Sequence, residues 1–166
     1  MSHVDIQSRT HDSRPHSRSL RQGRVSVSGQ IYHVTSRTVA NSRPFENFDI
    51  ACVACRSFRD TAARTGIRLL ACVLMPDHAH WLVQLSVQTD LSKSVAAFKR
   101  RSASAVNAIA GARGVSVWQD GFHDRALRHE EDLLAAARYI VANPLRAGLV
   151  SRLGDYPFWD SIWLLG

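Results

Sequence analysis

Between Ile67 and Leu85 the chain holds two apolar runs separated by a very short break, and no other feature limits its fold so strongly. Ile67 to Met75 is nearly continuous in apolar residues, the composition of a strand in a central, buried position. Pro76 and Asp77 break the run, and Ala79 to Leu85 resumes as a strand. Two strands joined by so short a connection are expected to pair as a hairpin.

The flanking segments supply the remaining elements. Ile31-Tyr32-His33-Val34-Thr35, bounded by Gly29 and the Asn41 to Pro44 loop, reads as a first strand. A helix is expected from about Phe48 to Thr65, with apolar residues returning every three or four positions and Gly66 closing it. A second helix, capped by Ser92 or a neighbour, should run to about Ile109 and carry Lys93, Lys99, Arg100 and Arg101 on its outer face. Gly111 to Gly114 end it, and a strand or extended segment covers about Val115 to Leu127. Glu130, Glu131 and Asp132 suit the first turn of a last helix, which should pass through Tyr139 and stop near Asn143-Pro144. The order strand, helix, strand, strand, helix, strand, helix predicts an α+β fold. It is that of a ferredoxin-like (RRM-like) antiparallel sheet with helices on one face and an extra C-terminal helix.

A length of 166 residues suits one domain, and the first 26 residues differ from the rest. They hold Arg9, Arg14, Arg18, Arg21 and Arg24 with few large apolar side chains, so residues 1–26 are expected to form a flexible basic arm and 27–166 the folded domain. A formal charge of +7 and a pI near 10.2 point to a polyanionic partner, although charge alone equally serves solubility or a membrane surface. No apolar run approaches the roughly 18 residues that span a bilayer, and no leader is expected, so a cytoplasmic location fits. The three cysteines, Cys52, Cys55 and Cys72, are too few for a disulfide framework, and the C-x-x-C pair inside a helical run reads as packing.

His78-Ala79-His80 places two imidazoles two residues apart, and the period of a strand points both rings from one face. Two rings on one face can grip a divalent ion, but a His-x-His pair by itself is a weak signal. Tyr139 and Asn143 stand one helical turn apart on one face. Taken singly, Tyr139 reads more readily as a core ring and Asn143 as a helix end before Pro144.

Together these pieces resemble a known family. Val73-Leu74-Met75-Pro76-Asp77-His78-Ala79-His80-Trp81-Leu82-Val83, Val117-Trp118-Gln119-Asp120-Gly121-Phe122-His123-Asp124 and Tyr139-Ile140-Val141-Ala142-Asn143-Pro144 resemble segments of the single-tyrosine HUH transposases. In particular they resemble the REP-associated tyrosine transposases, relatives of the IS200-type enzymes, in order from about Tyr32 to Phe158.

The resemblance implies that His78, His80 and Asn143 bind Mg²⁺ or Mn²⁺ and that Tyr139 is the nucleophile. It implies cleavage of single-stranded DNA near small hairpins, in REP-like repeats or element ends, through a 5′-phosphotyrosyl link with a free 3′-hydroxyl. A second DNA end then reverses the step, which is strand transfer. Lys99, Arg100, Arg101, Arg125 and Arg128 are expected at DNA phosphates on charge and placement alone, and Trp81, Trp118 or Phe122 offer stacking groups, with Trp118 favoured as core. Tyr32, on the first strand, lacks the helix placement of Tyr139 and reads as packing. The family implies a bacterial, nucleoid-associated protein acting as monomer or homodimer, since IS200-type relatives exchange helices in dimers while REP-associated ones look competent alone. His123 departs from the aromatic residue of many relatives, and the tail from Asp155 to Trp163 follows the family's closing motif only loosely. Two rival readings stay open. One is a non-catalytic repeat-binding protein domesticated from a transposase, and the other a metal-dependent phosphodiesterase that uses water.

Overall fold

A computed structural model of the chain describes residues 27–128 and 130–163. The basic arm expected over residues 1–26 lies outside them. Its elements are β1 (Ile31–Arg37), α1 (Phe48–Thr65), β2 (Arg68–Met75), β3 (His78–Gln84), α2 (Leu91–Ile109), β4 (His123–Leu127), α3 (Glu130–Val141), the single turn α4 (Asn143–Arg146) and β5 (Trp159–Ser161). The strands form one sheet in the order β4-β1-β3-β2-β5, and every neighbouring pair is antiparallel. The first four strands have the ferredoxin-like arrangement, and β5 extends the edge beside β2.

The β2–β3 hairpin turns on Pro76-Asp77 with Met75 opposite His78, as the apolar runs imply. A register shift between Leu69 and Ala71 changes which β2 side chains face which layer. Helix α1 begins where the Asn47 side chain accepts from the Ile50 amide and ends at Gly66, whose φ of 71° suits a residue without a Cβ. Helix α2 is capped by Asp90, which accepts from the Lys93 amide, two residues before the Ser92 expected for that role. A carboxylate at this position also favours the positive end of the helix dipole.

The sheet has two covered faces. Helices α1 and α2 cover one, where Val34, Leu74, Trp81 and Val83 from the strands meet Phe58, Val95 and Phe98. The Trp81 ring stacks on Phe98 at 5.4 Å and receives Phe58 edge-on at 5.0 Å. Helix α3 covers the other face, with Ala137 and Ile140 against Leu70, Val73, Leu82 and Leu127. The extra helix thus seals the face that α1 and α2 leave open.

The segment expected as a strand or extended stretch from Val115 to Leu127 is strand only from His123. Its first half is a loop, joined to the sheet margin by a single bridge between Thr38 and Trp118. Gly114 and Gly121 there take φ of 69° and 75°, outside any strand geometry. The Lys99 ammonium donates to the carbonyls of Gln119 and Gly121, holding the loop on α2. The C-terminal segment is tied down by the Tyr156 hydroxyl, which donates to the Leu74 carbonyl at 2.6 Å. Among the described residues no helix is long and apolar enough to cross a membrane.

Candidate active site

Strand β3 begins directly after the hairpin turn, and its alternation sends Ala79, Trp81 and Val83 to the α1/α2 core. His78 and His80 therefore project toward α3, the side that Leu82 shares. Strand β1 pairs with β3 so that Thr35 faces His80 and Arg37 faces His78. The same period of two brings His33 and Thr35 onto the α3 side, while Tyr32 and Val34 enter the opposite core.

These registers join four side chains. His80 Nδ1 lies 2.9 Å from Thr35 Oγ1 and 3.1 Å from His33 Nε2. His78 Nδ1 lies 2.7 Å from Asp77 Oδ1. The two imidazoles of the His-x-His pair stand 5.0 Å apart between centroids, nearly perpendicular at 89°. Since each ring engages protein through Nδ1, each has its Nε2 left for another partner.

The surroundings disfavour a charge on His80 and on His33. Burial first, then the charges of His78, His33 and Arg37, pull His80 down to about 3. His33 is lowered too, by burial and then by Arg125. Burial works against ionisation of Asp77, but the hydrogen bond and charge of His78, with smaller help from its own backbone amide and Arg43, hold its carboxyl below the ordinary value. An ionised carboxylate can only accept, so His78 Nδ1 donates to Asp77 and Nε2 is the ring nitrogen left for another partner. Neutral imidazoles whose far nitrogens are hydrogen-bonded are the donor chemistry a divalent cation requires.

Helix α3 brings Tyr139 to the same place. Its neighbours Ala137, Ile140 and Val141 are buried, whereas Tyr139 is 42% exposed. The phenol ring lies 6.1 Å from the His33 ring and 6.4 Å from the His80 ring. The guanidinium of Arg146, on α4, covers the phenol ring at 4.3 Å from its centroid. The phenol is thus beside the imidazoles on one face of the sheet and open to solvent.

Asn143 stands at the break between α3 and α4. Pro144 has no N–H to offer the Ile140 carbonyl four residues back, and the Asn143 amide nitrogen supplies one instead at 3.1 Å, with a second bond to the Tyr139 carbonyl at 2.9 Å. The carboxamide oxygen accepts no hydrogen bond among the described residues. No group of three or more His, Cys, Asp or Glu side chains is arranged to hold a metal ion among the described residues.

The basic residues expected at DNA divide by face. Arg125 lies on β4 opposite His33 and lines a cavity with that ring and Tyr139. Arg128 is exposed just past β4. Lys99, Arg100 and Arg101 stand on α2, across the sheet from the His–Tyr cluster, and Lys99 is engaged with loop carbonyls. A cavity of about 820 Å³ between α2 and the 112–121 loop is also on that remote side. Trp81 and Trp118 do not offer stacking surfaces: they are 1% and 6% exposed and belong to the core, with Trp118 Nε1 donating to Ser102 at 2.9 Å. Tyr32 is a core residue, as its sequence setting implies. The cysteines are free thiols, and burial pushes Cys55 up to about 12, so it is no nucleophile at neutral pH.

Four participants escape the sequence reading: His33, Thr35, Asp77 and Arg146. The signal for the first two is present in the alternation of β1, but it becomes useful only with the β1–β3 register.

A ferredoxin-like antiparallel sheet with a third helix on its far face, and a phenol held there beside paired imidazoles, defines a narrow class of α+β protein. The model of the family described as "Transposase IS200 like" matches residues 26–143, and the chain belongs to that family. Its fold is similar to that of a REP-associated tyrosine transposase solved bound to a REP hairpin, with a TM-score of 0.67 and 21% identity, covering 82% of this chain and 79% of that one. It is also similar to a putative transposase from Deinococcus radiodurans R1, with a TM-score of 0.53 and 23% identity, covering 72% of this chain and 95% of that one. No curated protein matches the chain in sequence.

Proposed function

We propose that this transposase is a single-stranded DNA endonuclease and strand transferase of the REP-associated type, with Tyr139 as nucleophile. The observation that carries the reading is the half-exposed Tyr139 ring beside His33 and His80, on the sheet face that also bears His78. Simple nucleic-acid binding has no use for that combination. His78, His80 and Asn143 are the residues to hold a divalent cation, Mg²⁺ or Mn²⁺, which when bound draws charge from the scissile phosphate.

The chain's own groups do the rest. Asp77 fixes His78, and Thr35 with His33 fixes His80, so that each ring is oriented through Nδ1 and offers its Nε2 to a further partner. The Tyr139 hydroxyl oxygen attacks phosphorus, the bond to the 3′-oxygen breaks, and a 5′-phosphotyrosyl ester forms. The phenol loses its proton to solvent, and the departing 3′-oxygen takes one up. One phosphoester has replaced another of similar energy, so a second 3′-hydroxyl reverses the exchange without ATP. Arg128, exposed just past β4, is suited to a flanking phosphate.

A single-stranded hairpin oligonucleotide, Mn²⁺ and denaturing electrophoresis test the reading. A covalent protein–DNA adduct that disappears in Tyr139→Phe supports it. Cleaved DNA without adduct, persisting in Tyr139→Phe, establishes a water-using phosphodiesterase instead. Intact DNA that is only retarded on native gels establishes a non-catalytic binder.

A further inference from the structure

Next to the phenol lies a second feature that phosphoester exchange does not by itself require. A cavity of about 370 Å³ opens between β4 and α3. The sheet contributes His33, Arg125 and Leu127 to it, and α3 contributes Asp132, Ala135, Ala136 and Tyr139. We infer that this cavity is a nucleobase pocket, seating the unstacked base of a nucleotide that flanks the scissile phosphate, with Arg125 and Asp132 reading its polar edge. The inference rests on the nuclease reading for the identity of its ligand as single-stranded DNA.

Three properties argue for a base. The volume exists because α3 presents the methyl groups of Ala135 and Ala136 where larger side chains would fill it. It is also the size of a single small planar ligand and not of a duplex. The lining pairs apolar surface from Leu127 and the alanines with polar groups from Arg125, Asp132 and His33, as a base pairs apolar faces with a hydrogen-bonding edge. The charges decide between the parts of a nucleotide. A guanidinium and a carboxylate together attract no net anion, so a phosphate gains little there, whereas a base edge carrying both acceptors and N–H donors satisfies both groups.

The position of the pocket gives the inference its link to chemistry. Tyr139 forms part of the wall, so a chain whose base occupies the cavity has an adjacent phosphate within a nucleotide's reach of the phenol. His33 forms another part and bonds His80. An occupied pocket therefore presses on the same ring that orients a proposed cation ligand. Base choice and cleavage position would then be set by one contact.

The test uses the full chain carrying Tyr139→Phe and the four deoxynucleoside 5′-monophosphates as probes, with methyl and imidazole NMR signals as readout. Saturable shifts of Ala135, Ala136 and His33, stronger for one base than for the others, are expected, and deoxyribose 5-phosphate should not reproduce them. Asp132→Asn should weaken the preferred nucleotide on the order of tenfold and change the ranking of the four. Equal shifts with all four bases and with the sugar phosphate, or no saturable shift, overturn the pocket. Because this readout needs no cleavage, it is separate from the adduct assay: a protein that forms adducts but shows no base-selective shifts refutes the pocket alone. A protein that shows the shifts but forms no adduct refutes the nuclease reading alone.

Discussion

The support given to His80 yields a quantitative expectation for cation binding. Its Nδ1 has two partners, Thr35 Oγ1 at 2.9 Å and His33 Nε2 at 3.1 Å, and the residue is only 8% exposed, so water cannot readily replace them. Thr35→Val keeps the shape of the side chain and removes one partner while the other remains. The expected cost is that of one net hydrogen bond, about 0.5–1.5 kcal/mol, or a few-fold to roughly tenfold in Mn²⁺ affinity. Removing both, as Thr35→Val with His33→Phe, leaves a buried ring nitrogen unsatisfied. That penalty is about 1–3 kcal/mol, or roughly 5- to 150-fold, in line with the 10- to 100-fold typical of partners behind metal ligands. The double variant should therefore bind Mn²⁺ more weakly than Thr35→Val alone. Calorimetric Mn²⁺ titration of the Tyr139→Phe protein and these variants measures the affinities, and urea unfolding establishes that they remain folded. If the folded double variant binds Mn²⁺ as tightly as its parent while His80→Ala does not bind, the orientation argument is refuted.

Other consequences are open to measurement. The metal-free protein should lose stability on acidification: His80 sits at about 3 when folded against an ordinary 6.5, so only the unfolded chain takes up its proton between these values. Stability is then complete above about pH 6.5 and falls by up to about 1.4 kcal/mol per pH unit as pH drops toward 3; urea titrations at several pH values should show a flatter dependence in His80→Gln. Trp81→Ala removes a ring packed between Phe98 and Phe58 and should cost about 3–5 kcal/mol in urea unfolding, whereas a minor loss would contradict the core assignment. Lys99→Met should speed amide exchange or proteolysis in the 115–121 loop, with little effect on the salt dependence of single-stranded DNA binding. Arg128→Ala, at an exposed position past β4, should instead lower that log–log slope by about 0.7, the value for one lost phosphate contact.

Local pattern revealed the parts of the fold that local forces determine. The apolar runs around Pro76-Asp77 marked the β2–β3 hairpin, and Gly66 marked the end of α1, because burial and backbone freedom act within a few residues. Strand β5 has only three residues and is defined by pairing with distant β2, so no periodicity announces it. The 115–122 segment is rich enough in apolar residues to read as a strand, but its glycine conformations and the Lys99 tether hold it as a loop. The candidate site divides the same way. His78, His80, Tyr139 and Asn143 stood out through spacing and resemblance, while His33 and Thr35 depend on a register with β3 that one strand cannot encode. Trp81 looked usable as a stacking platform because aromatic rings serve cores and nucleic acids alike, and alternation along β3 sends it inward.

Helix α3 docks its buried side on the sheet of its own chain, through Ala137 and Ile140. Tyr139 and the imidazoles of His33 and His80 thus stand together within one polypeptide. The rate of cutting per molecule should accordingly hold steady as the protein is diluted, and any pairing of copies would serve to bring two DNA ends together.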